Sequence, residues 1–509
     1  MAASRLLTIL TIIILFSILA LGLARPINLT AVDIGRHIKN GELILQGQTQ
    51  VLYKNFYSFT HPDQPFINHH WLFGVLSFGV WKLAGFGGLS LFYIALMLAA
   101  MGFFLRAAAL RGHFPLAVFF ACLALPVVCD RREIRPEAIS ALFTGLYFYV
   151  LTALSLGRIQ RRTVFIILGL AQVIWVNSHI FFLMGPFLVA VFLWEGFARG
   201  CKVCVRSLWP LLPMLLALNV CNPSGVAGAL APLNVLKQFG YRVAEVQDIF
   251  FMMSFFPHET LYAYYLGLIA ITAVGIILAV MVRGWKANAA FIFLAVCMAA
   301  GGVKFVRMMM PFGFFMVPLA AFFYGQAEGR WLQKNQGMFR KAILVVSLGW
   351  TLAYAWSLRE GPIGIGLEKG VNFSADFFKK AGLKGPVFNN YDIGSYLIFH
   401  LAPNEKVFVD NRPEAFPADF FKNVYIPMQE DDAAWRKIDG QYGFNAIYFY
   451  RNDLTPWGQQ FLVKRIDDAA WAPVFVDANT IIFLKRNTQN RALIEQFELP
   501  RSLFTVVRR

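Results

Sequence analysis

The residues best suited to acid–base chemistry lie in one polar segment near the start of the chain. Asp33, Arg36 and His37 stand within five residues of each other, and His69 and His70 lie further along the same segment. A carboxylate can take the proton of a hydroxyl group while that hydroxyl attacks a substrate, and one carboxylate suffices. Asp33 is therefore a candidate for acid–base chemistry, and Arg36, His37, His69 and His70 are further candidate site residues that could orient a donor or an acceptor.

Two simpler interpretations remain open for this segment. Thr30-Ala-Val-Asp33 fits the capping box of a short helix, with Thr30 at the N-cap, Asp33 at N3 and Gly41 just past the last turn. His69 and His70 could bind a metal, but neighbouring side chains on a helix diverge by about 100°, so shared chelation is not expected. The sequence predicts no metal site and no cofactor, and it leaves a requirement for a divalent metal undecided.

A second group of charges stands between two apolar runs. The segment Asp130-Arg-Arg-Glu-Ile-Arg-Pro-Glu137 places six charged side chains in eight residues. Guanidinium groups bind phosphate oxygens bidentately, so this segment could hold an anionic lipid or phosphate. The candidate phosphate ligands are Arg132, Arg135, Lys304 and Arg307, and Glu133 and Glu137 are further candidate site residues of this segment. The alternative is that the arginines form internal salt bridges with Asp130, Glu133 and Glu137.

The composition shows what kind of elements must position these groups. Of the 509 residues, 58% are hydrophobic and 15% are charged, whereas soluble proteins have roughly 45–50% and 25%. The sequence therefore predicts an α-helical polytopic membrane protein with about 11 transmembrane helices, each of roughly 20 residues or somewhat fewer. The apolar runs cover residues 5–24, 88–110, 113–129, 137–156, 163–178, 180–197, 207–221, 261–282, 287–303, 308–325 and 341–358.

The distribution of basic residues predicts the orientation. A shorter apolar run, residues 70–85, is expected to lie in the membrane interface, because fifteen Lys and Arg then face the cytoplasm against two acids. We expect insertion in the cytoplasmic (inner) membrane with a cytoplasmic N-terminus. Residues 1–358 would form the membrane domain, with a long first outer loop at residues 25–87. The pair Cys201-x-x-Cys204 is interpreted as two ordinary thiols.

The net charge of +17 does not indicate a nucleic-acid partner. Residues 1–358 hold 27 Lys and Arg against 11 Asp and Glu, whereas residues 359–509 hold 19 against 18. The excess therefore stands between the apolar runs, where it orients the chain in the bilayer.

The last third of the chain has a different pattern. Glycines in residues 359–370 indicate a linker, and residues 371–509 predict an extracytoplasmic α/β domain. The expected strands are 386–389, 406–410, 445–450, 473–476 and 480–484, with helices at 394–401 and 433–440. Polar residues after two of these strands, at 389–396 and 410–414, indicate either a ligand site or simple turn chemistry.

These motifs resemble the GT-C class of integral membrane glycosyltransferases, in particular the lipid A aminoarabinose transferases and protein O-mannosyltransferases. The resemblance covers about 350 residues and rests on Val32-Asp33-Ile-Gly-Arg36-His37, on Asn68-His-His-Trp-Leu72 and on Arg135-Pro-Glu137. The lysine that the class has beside a proline in the first loop is absent here, where Asp63-Gln64-Pro65 stands, and no paired Asp-x-Asp occurs.

The resemblance implies an inverting glycosyltransferase that moves a sugar from a polyprenyl-phosphate carrier to an extracytoplasmic lipid, glycan or protein. It implies that Asp33 is the catalytic base and that Glu133 or Glu137 positions a substrate. Arg132, Arg135 and Arg307 would then stabilise the departing phosphate. The alternatives are a lipid or glycan transporter or flippase and a non-catalytic membrane assembly protein, although no internal repeat typical of transporters is evident.

Overall fold

The structure is a computed structural model that describes residues 2–111, 114–234, 240–327 and 336–505. The chain divides into two compact units. We call Met1–Arg25, Ser90–Pro232 and Arg242–Ile365 the helical unit, and Pro26–Leu89, Leu233–Tyr241 and Gly366–Arg509 the mixed unit. The first polar segment therefore belongs to the same unit as the C-terminal residues. The division predicted from the sequence, at residue 358, placed this segment in the membrane domain instead.

The helical unit is built from apolar helices at the positions that the hydrophobic runs predict, together with three short helices that the runs did not predict. Its helices are Ala2–Leu23, Phe114–Cys129, Glu137–Ser155, Arg161–Val176, Met184–Ala198, Lys202–Leu208, Leu211–Leu218, Gly225–Leu230, Ile249–Phe255, Leu261–Arg283, Ala289–Lys304, Met309–Gln326 and Gln336–Ser357, together with the C-terminal part of Trp71–Leu110. Seven helices in the described residues are long and apolar enough to cross a membrane. The protein is an integral membrane protein, and the predicted number of 11 spans is not established.

Small residues allow close packing between the long helices. Met309–Gln326 lies against Phe114–Cys129, where a Cβ atom on Gly313 would stand 3.1 Å from the Val128 side chain. Phe104 stacks on Phe314 with ring centroids 5.4 Å apart. Close backbone approach of this kind is typical of helix association in membranes.

The predicted interfacial run and the following span form one helical segment with a sharp break. Trp71–Leu110 is continuous except at Gly85, which has φ 62° and ψ −161°. Only glycine adopts this conformation without strain, so the break is encoded by Gly85. The break at Gly85 lets the helix before it and the helix after it run in different directions. This is compatible with the prediction that residues 70–85 lie in the membrane interface, which stays a prediction.

The mixed unit has a four-stranded sheet with helices around it. The strands are β1 (Val387–Asn389), β2 (Ala446–Tyr450), β3 (Trp471–Val476) and β4 (Thr480–Lys485). Their order is β1-β2-β4-β3, in which β1 and β2 are parallel and the other pairs are antiparallel. The helices are Ile34–Leu45, the N-terminal part of Trp71–Leu110, Phe373–Lys380, Gly394–Leu401, Ala418–Phe420, the π-helical Phe421–Tyr425, Pro427–Glu430, Asp432–Tyr442, Pro456–Asp467 and Arg491–Phe497.

The core of the mixed unit is mainly aromatic. Phe388 on β1 lies opposite Ile447 on β2 and contacts the rings of Trp435, Phe444 and Phe461. All of these side chains are buried. Burial of such large apolar surfaces stabilises this unit, so it does not depend on the lipid for its core.

One predicted strand is wrong. Residues 406–410 do not join the sheet, because the backbone of Val407 bonds with Tyr57 and Phe59 instead. Further backbone groups of this segment bond to the Asn389 side chain and not to a strand. The Asn389 amide donates to the Val409 carbonyl, and the Asn389 oxygen accepts from the Phe408 amide.

Three local predictions are also corrected. Asp33 is the N-cap residue of Ile34–Leu45, and no side-chain cap is formed, so the capping box with Thr30 is wrong. Gly41 lies inside this helix rather than past its end, where a Cβ atom would stand 2.2 Å from the Gly74 carbonyl oxygen. Cys201 and Cys204 form a disulfide, because Cys201 caps Lys202–Leu208 and the two sulfur atoms meet within one turn.

Candidate active site

The carboxylate of Asp33 is held at the start of a helix by a residue from the far end of the chain. Asp33 precedes Ile34–Leu45, where the helix dipole favours a negative charge. Its Oδ1 accepts a hydrogen bond from the Asn411 side-chain amide. The preceding turn is closed separately, because Asn28 accepts from the Thr30 amide and hydroxyl. The Asp33 side chain is therefore directed by a tertiary contact and not by its own helix.

The loop that carries Asn411 is fixed by one buried ion pair, formed between the residues on its two sides. Asp410 and Arg412 are joined by a two-pronged contact, with Nε to Oδ1 at 2.8 Å and Nη2 to Oδ2 at 2.6 Å. Both side chains are almost completely buried. Such bidentate pairs have little freedom to rotate, so Asn411 between them has a defined place.

The same arginine ties this loop to the first polar segment. Arg412 Nη2 donates to Asn55 Oδ1 at 2.9 Å, and the guanidinium lies over the rings of Phe66 and Tyr57. The Tyr57 hydroxyl donates to Asn40 at 2.6 Å, in the helix that Asp33 begins. A continuous buried network thus connects the Asn411 loop with the helix of Asp33.

A second contact fixes the start of this helix. The Arg36 backbone amide donates to the hydroxyl of Ser395, in the helix Gly394–Leu401, at 3.0 Å. The Arg36 side chain itself is buried, with 4% of its surface exposed. The sequence predicted Arg36 and Asp33 as site residues, and the structure places them one turn apart on one helix.

Two further carboxylates follow the parallel strands, and one of them, Asp392, interacts with Asp33. Asp392 follows β1 and Asp453 follows β2, where Asp453 accepts from the Asn390 amide at 2.9 Å. Burial, followed by the charges of Asp453 and Asp33, raises the pKa of Asp392 from 3.8 to about 7. The polar segment after β1, which the sequence left between a ligand site and a turn, therefore brings an acid into the surroundings of Asp33.

Three histidines of the first segment, His37, His69 and His70, lie together beside Phe73. The His37 ring is buried and meets the edges of His70 and Phe73 at centroid distances of 5.5 and 5.1 Å. His69 is 6.3 Å from His70, and burial lowers the pKa of His69 to about 4. His69 is thus neutral at physiological pH. In the described residues, no group of three or more His, Cys, Asp or Glu side chains could hold a metal ion.

In the helical unit, the predicted charged loop forms an ion-pair cluster. Arg131 contacts Glu137 at 3.9 Å and Glu245 at 3.2 Å, and Arg135 pairs with Glu245 as well as with Glu133 at 2.6 Å. These ion pairs join two arginines to three carboxylates, so the two arginines leave no excess of positive charge in the cluster. The two arginines lower the pKa of Glu245 even though its burial acts in the opposite direction.

Of the internal salt bridges considered from the sequence, those to Glu133 and Glu137 form, and they are joined by one acid that the sequence did not predict. Glu245 lies more than 100 residues after the charged loop, in a short 3₁₀ turn, Ala244–Val246. The sequence prediction of phosphate ligands also named Arg132 and Arg135 and omitted Arg131. Arg132 is exposed and donates to the Cys129 carbonyl at 3.2 Å, away from the cluster.

Glu137 lines a small cavity of about 20 Å³ together with Ser140, Thr144 and Phe181. Ser140 also accepts from the Trp175 indole at 2.7 Å and contacts His179 Nδ1 at 2.6 Å. An indole can only donate, so Ser140 accepts from Trp175, and its hydroxyl can donate to His179 in the tautomer that carries no proton on Nδ1. His179, which contacts Ser140 of the cavity wall, is a polar residue that the sequence did not select.

The two later cations have different surroundings. Arg307 lies over the Phe181 ring at 5.0 Å, with Glu137, Glu245, Arg131 and Arg135 as its electrostatic neighbours. In the part of the chain that the structure describes, no carboxylate lies within ion-pair distance of Arg307. Lys304 is exposed and lines an apolar cleft of about 680 Å³ with Asp248, Phe250 and Ile269. The structure thus brings Arg307, but not Lys304, to the cluster.

Comparison by sequence gave no relatives. No family model matches the chain, and no curated protein matches it.

Comparison with solved structures found similar proteins. The archaeal oligosaccharyltransferase AglB from Archaeoglobus fulgidus, in complex with an inhibitory peptide and a dolichol-phosphate, matches with a TM-score of 0.63 at 10% identity, over 95% of this chain and 74% of that chain. The arabinofuranosyltransferase AftD from Mycobacteria matches with a TM-score of 0.55 at 14% identity, over 95% of this chain and 40% of that chain. Both neighbours are GT-C glycosyltransferases. The chain has the GT-C fold.

The GT-C fold is the fold that the motifs of the first and second polar loops indicated. The similarity extends past the membrane helices, because 95% of the chain is matched. The narrower branch named from the sequence, lipid A aminoarabinose transferases and protein O-mannosyltransferases, stays a prediction.

Proposed function

We propose that this protein is a glycosyltransferase that moves a sugar from a polyprenyl-phosphate carrier to an acceptor hydroxyl outside the cytoplasm, with inversion at the anomeric carbon. The observation that carries this proposal is the GT-C fold over nearly the whole chain, shared with two membrane glycosyltransferases. One of these was solved with a dolichol-phosphate, which is a polyprenyl-type phosphate.

In this proposal, Asp33 is the general base. It takes the proton of the acceptor hydroxyl while the oxygen attacks the anomeric carbon from the face opposite the phosphate. The bond from that carbon to the phosphate breaks, and its electron pair leaves with the carrier phosphate. The fixed direction of the Asp33 carboxylate supports this role, since a base must be held in reach of the proton that it takes.

The departing phosphate would be stabilised by Arg307, with Arg132, Arg135 and Lys304 as further candidates. Arg307 is the best supported of the four, because it lies beside the ion-pair cluster with no carboxylate partner of its own in the described residues. Glu133 and Glu137 would position the arginines that they contact. Arg36, His37, His69 and His70 would shape the surroundings of Asp33 and orient a substrate.

The proposed location is the cytoplasmic membrane, with the N-terminus inside and the C-terminal residues outside. The support is the sidedness of the basic residues, which favours this orientation over the reverse one. The apolar cleft beside Lys304 is suited to part of a lipid chain, since its lining is apolar except at Asp248 and Lys304.

The proposal is tested with purified protein in liposomes that contain labelled polyprenyl-phosphate sugars and a mixture of envelope glycans. A transferase releases free polyprenyl phosphate and leaves the label on an acceptor. A flippase moves the label across the bilayer with no release, and an assembly protein does neither. Either of the last two results contradicts the proposed reaction.

A further inference from the structure

We propose that Asn411 is a positioning residue for Asp33: its side-chain N–H fixes the direction of the carboxylate, so the C-terminal part of the chain completes the catalytic site. This inference rests on the proposed role of Asp33 as the base. The two residues are separated by 378 positions in the sequence and joined by a side-chain hydrogen bond. No motif of the first loop contains Asn411.

The chemistry of the pair determines which atom of the amide faces Asp33. An ionised carboxylate can only accept hydrogen bonds, and an amide has two N–H donors and one oxygen. The reversed amide would place its oxygen against the carboxylate, so Nδ2 must face Asp33. The Asn411 oxygen is buried and has no hydrogen-bond partner within the described residues, so the hydrogen bond that this side chain makes is the one to Asp33.

The backbone on both sides of Asn411 is held independently of Asp33. The neighbouring Asp410 and Arg412 are locked to each other, and Arg412 is also bonded to Asn55. A Cβ atom on Gly394 would stand 2.5 Å from the Asp410 Cα, so the loop lies directly on the helix Gly394–Leu401. The backbone of Asn411 is thus held rigidly, which a residue needs if it is to fix the direction of another side chain.

Positioning predicts that the donor, and not the shape, of Asn411 is needed. Asn411→Asp keeps the shape but replaces the N–H donor with a carboxylate oxygen beside Asp33. We expect transfer at pH 7 to fall about 100-fold, as for a misplaced catalytic group. As the pH is lowered, the two carboxylates share one proton and the hydrogen bond returns, so activity should partly recover relative to wild type. Among the described residues, Asp392 and Tyr391 are titratable groups that interact electrostatically with Asp33, and neither is changed.

A matched variant separates this effect from the added charge. Asn423 is exposed in the same unit, and Asn423→Asp makes the same chemical change away from Asp33. It should leave transfer within about twofold of wild type, because exposed substitutions rarely have large effects.

The contact itself is tested without any activity. Asn411→Asp should lower the unfolding midpoint of the detergent-solubilised protein by about 3 °C or more, since two carboxylates then meet. The exchange Asp33→Asn with Asn411→Asp restores one donor and one acceptor, and should recover at least half of that loss. The exchanged protein should remain inactive, because the carboxylate is no longer at position 33.

The outcomes are distinct. Unchanged unfolding in all variants would show that the contact does not form, and would overturn the inference. If the exchanged protein recovers its unfolding midpoint but Asn411→Asp alone transfers sugar at a near-normal rate, the contact is only structural. That result also overturns the inference. If wild-type protein transfers no sugar, the proposed function fails and Asn411 has no base to position, while the unfolding cycle still reports the contact.

Discussion

Asp392 provides a quantitative test of the electrostatics around Asp33. Its pKa is raised from 3.8 to about 7, first by burial and then by Asp453 and Asp33. Asp392→Asn replaces this carboxyl with a neutral group of the same shape. The variant should therefore be more stable than wild type at neutral and alkaline pH.

The size of the effect follows from the pKa difference between the folded and unfolded protein. Below about pH 4, both states hold the proton and the carboxyl costs nothing. From there to pH 7 the folded state keeps the proton that the unfolded state loses, so the stability of wild type falls as the pH rises. Each pKa unit corresponds to about 1.4 kcal/mol. A rise of about three units thus costs about 4 kcal/mol above pH 7, of which about 3 kcal/mol is lost between pH 5 and pH 7.

The measurement is the unfolding midpoint of wild type and Asp392→Asn in one detergent, between pH 5 and pH 8. At roughly 2–4 °C per kcal/mol, the variant should gain about 8 °C on wild type across this range. Asp419→Asn is the control, because Asp419 is exposed in the same unit. Parallel pH curves for wild type and Asp392→Asn would refute the reasoning that burial and the two acids hold a proton on Asp392.

Three further predictions address the support of the site and the orientation of the chain. Arg412→Met leaves a fully buried carboxylate without its partner and should destabilise the protein by about 3–5 kcal/mol, seen as an early unfolding transition; an unchanged midpoint would contradict the buried network. Gly41→Ala places a Cβ against the Gly74 carbonyl and should cost about 1–3 kcal/mol in the same assay, unless the two helices can separate without loss. In a background without accessible cysteines, Asp419→Cys should react with an impermeant maleimide added to intact spheroplasts, and Arg161→Cys should react only after lysis; the reverse pattern would contradict the proposed orientation.

The helices and most strands could be predicted because their signals are local. Each apolar run contains a helix, and Gly394–Leu401 has the predicted bounds. Residues 406–410 have the alternating pattern of a strand, but their backbone partners are in the first polar segment and in the Asn389 side chain. A local pattern reports a tendency to be extended and does not identify the partner.

The site was predicted only in part for the same reason. Asp33 stood out because of its neighbours in sequence, and the polar residues after β1 because of the expected topology. Asn411 and Glu245 become evident only through contacts with residues far along the chain. Conversely, the capping box of Thr30 and Asp33 is a valid local motif that was not formed, because the Asn28 side chain satisfies Thr30 and the Asn411 amide bonds to Asp33.

The most direct test of the central claim is sugar transfer by Asp33→Asn. The variant should insert in the membrane and unfold as wild type does, while release of free polyprenyl phosphate falls at least about 1000-fold for loss of a catalytic base. Asp63→Asn is the matched control, because Asp63 is an exposed acid of the same segment, paired with Lys54 at 2.8 Å. Near-normal transfer by Asp33→Asn would remove Asp33 from catalysis and contradict the account.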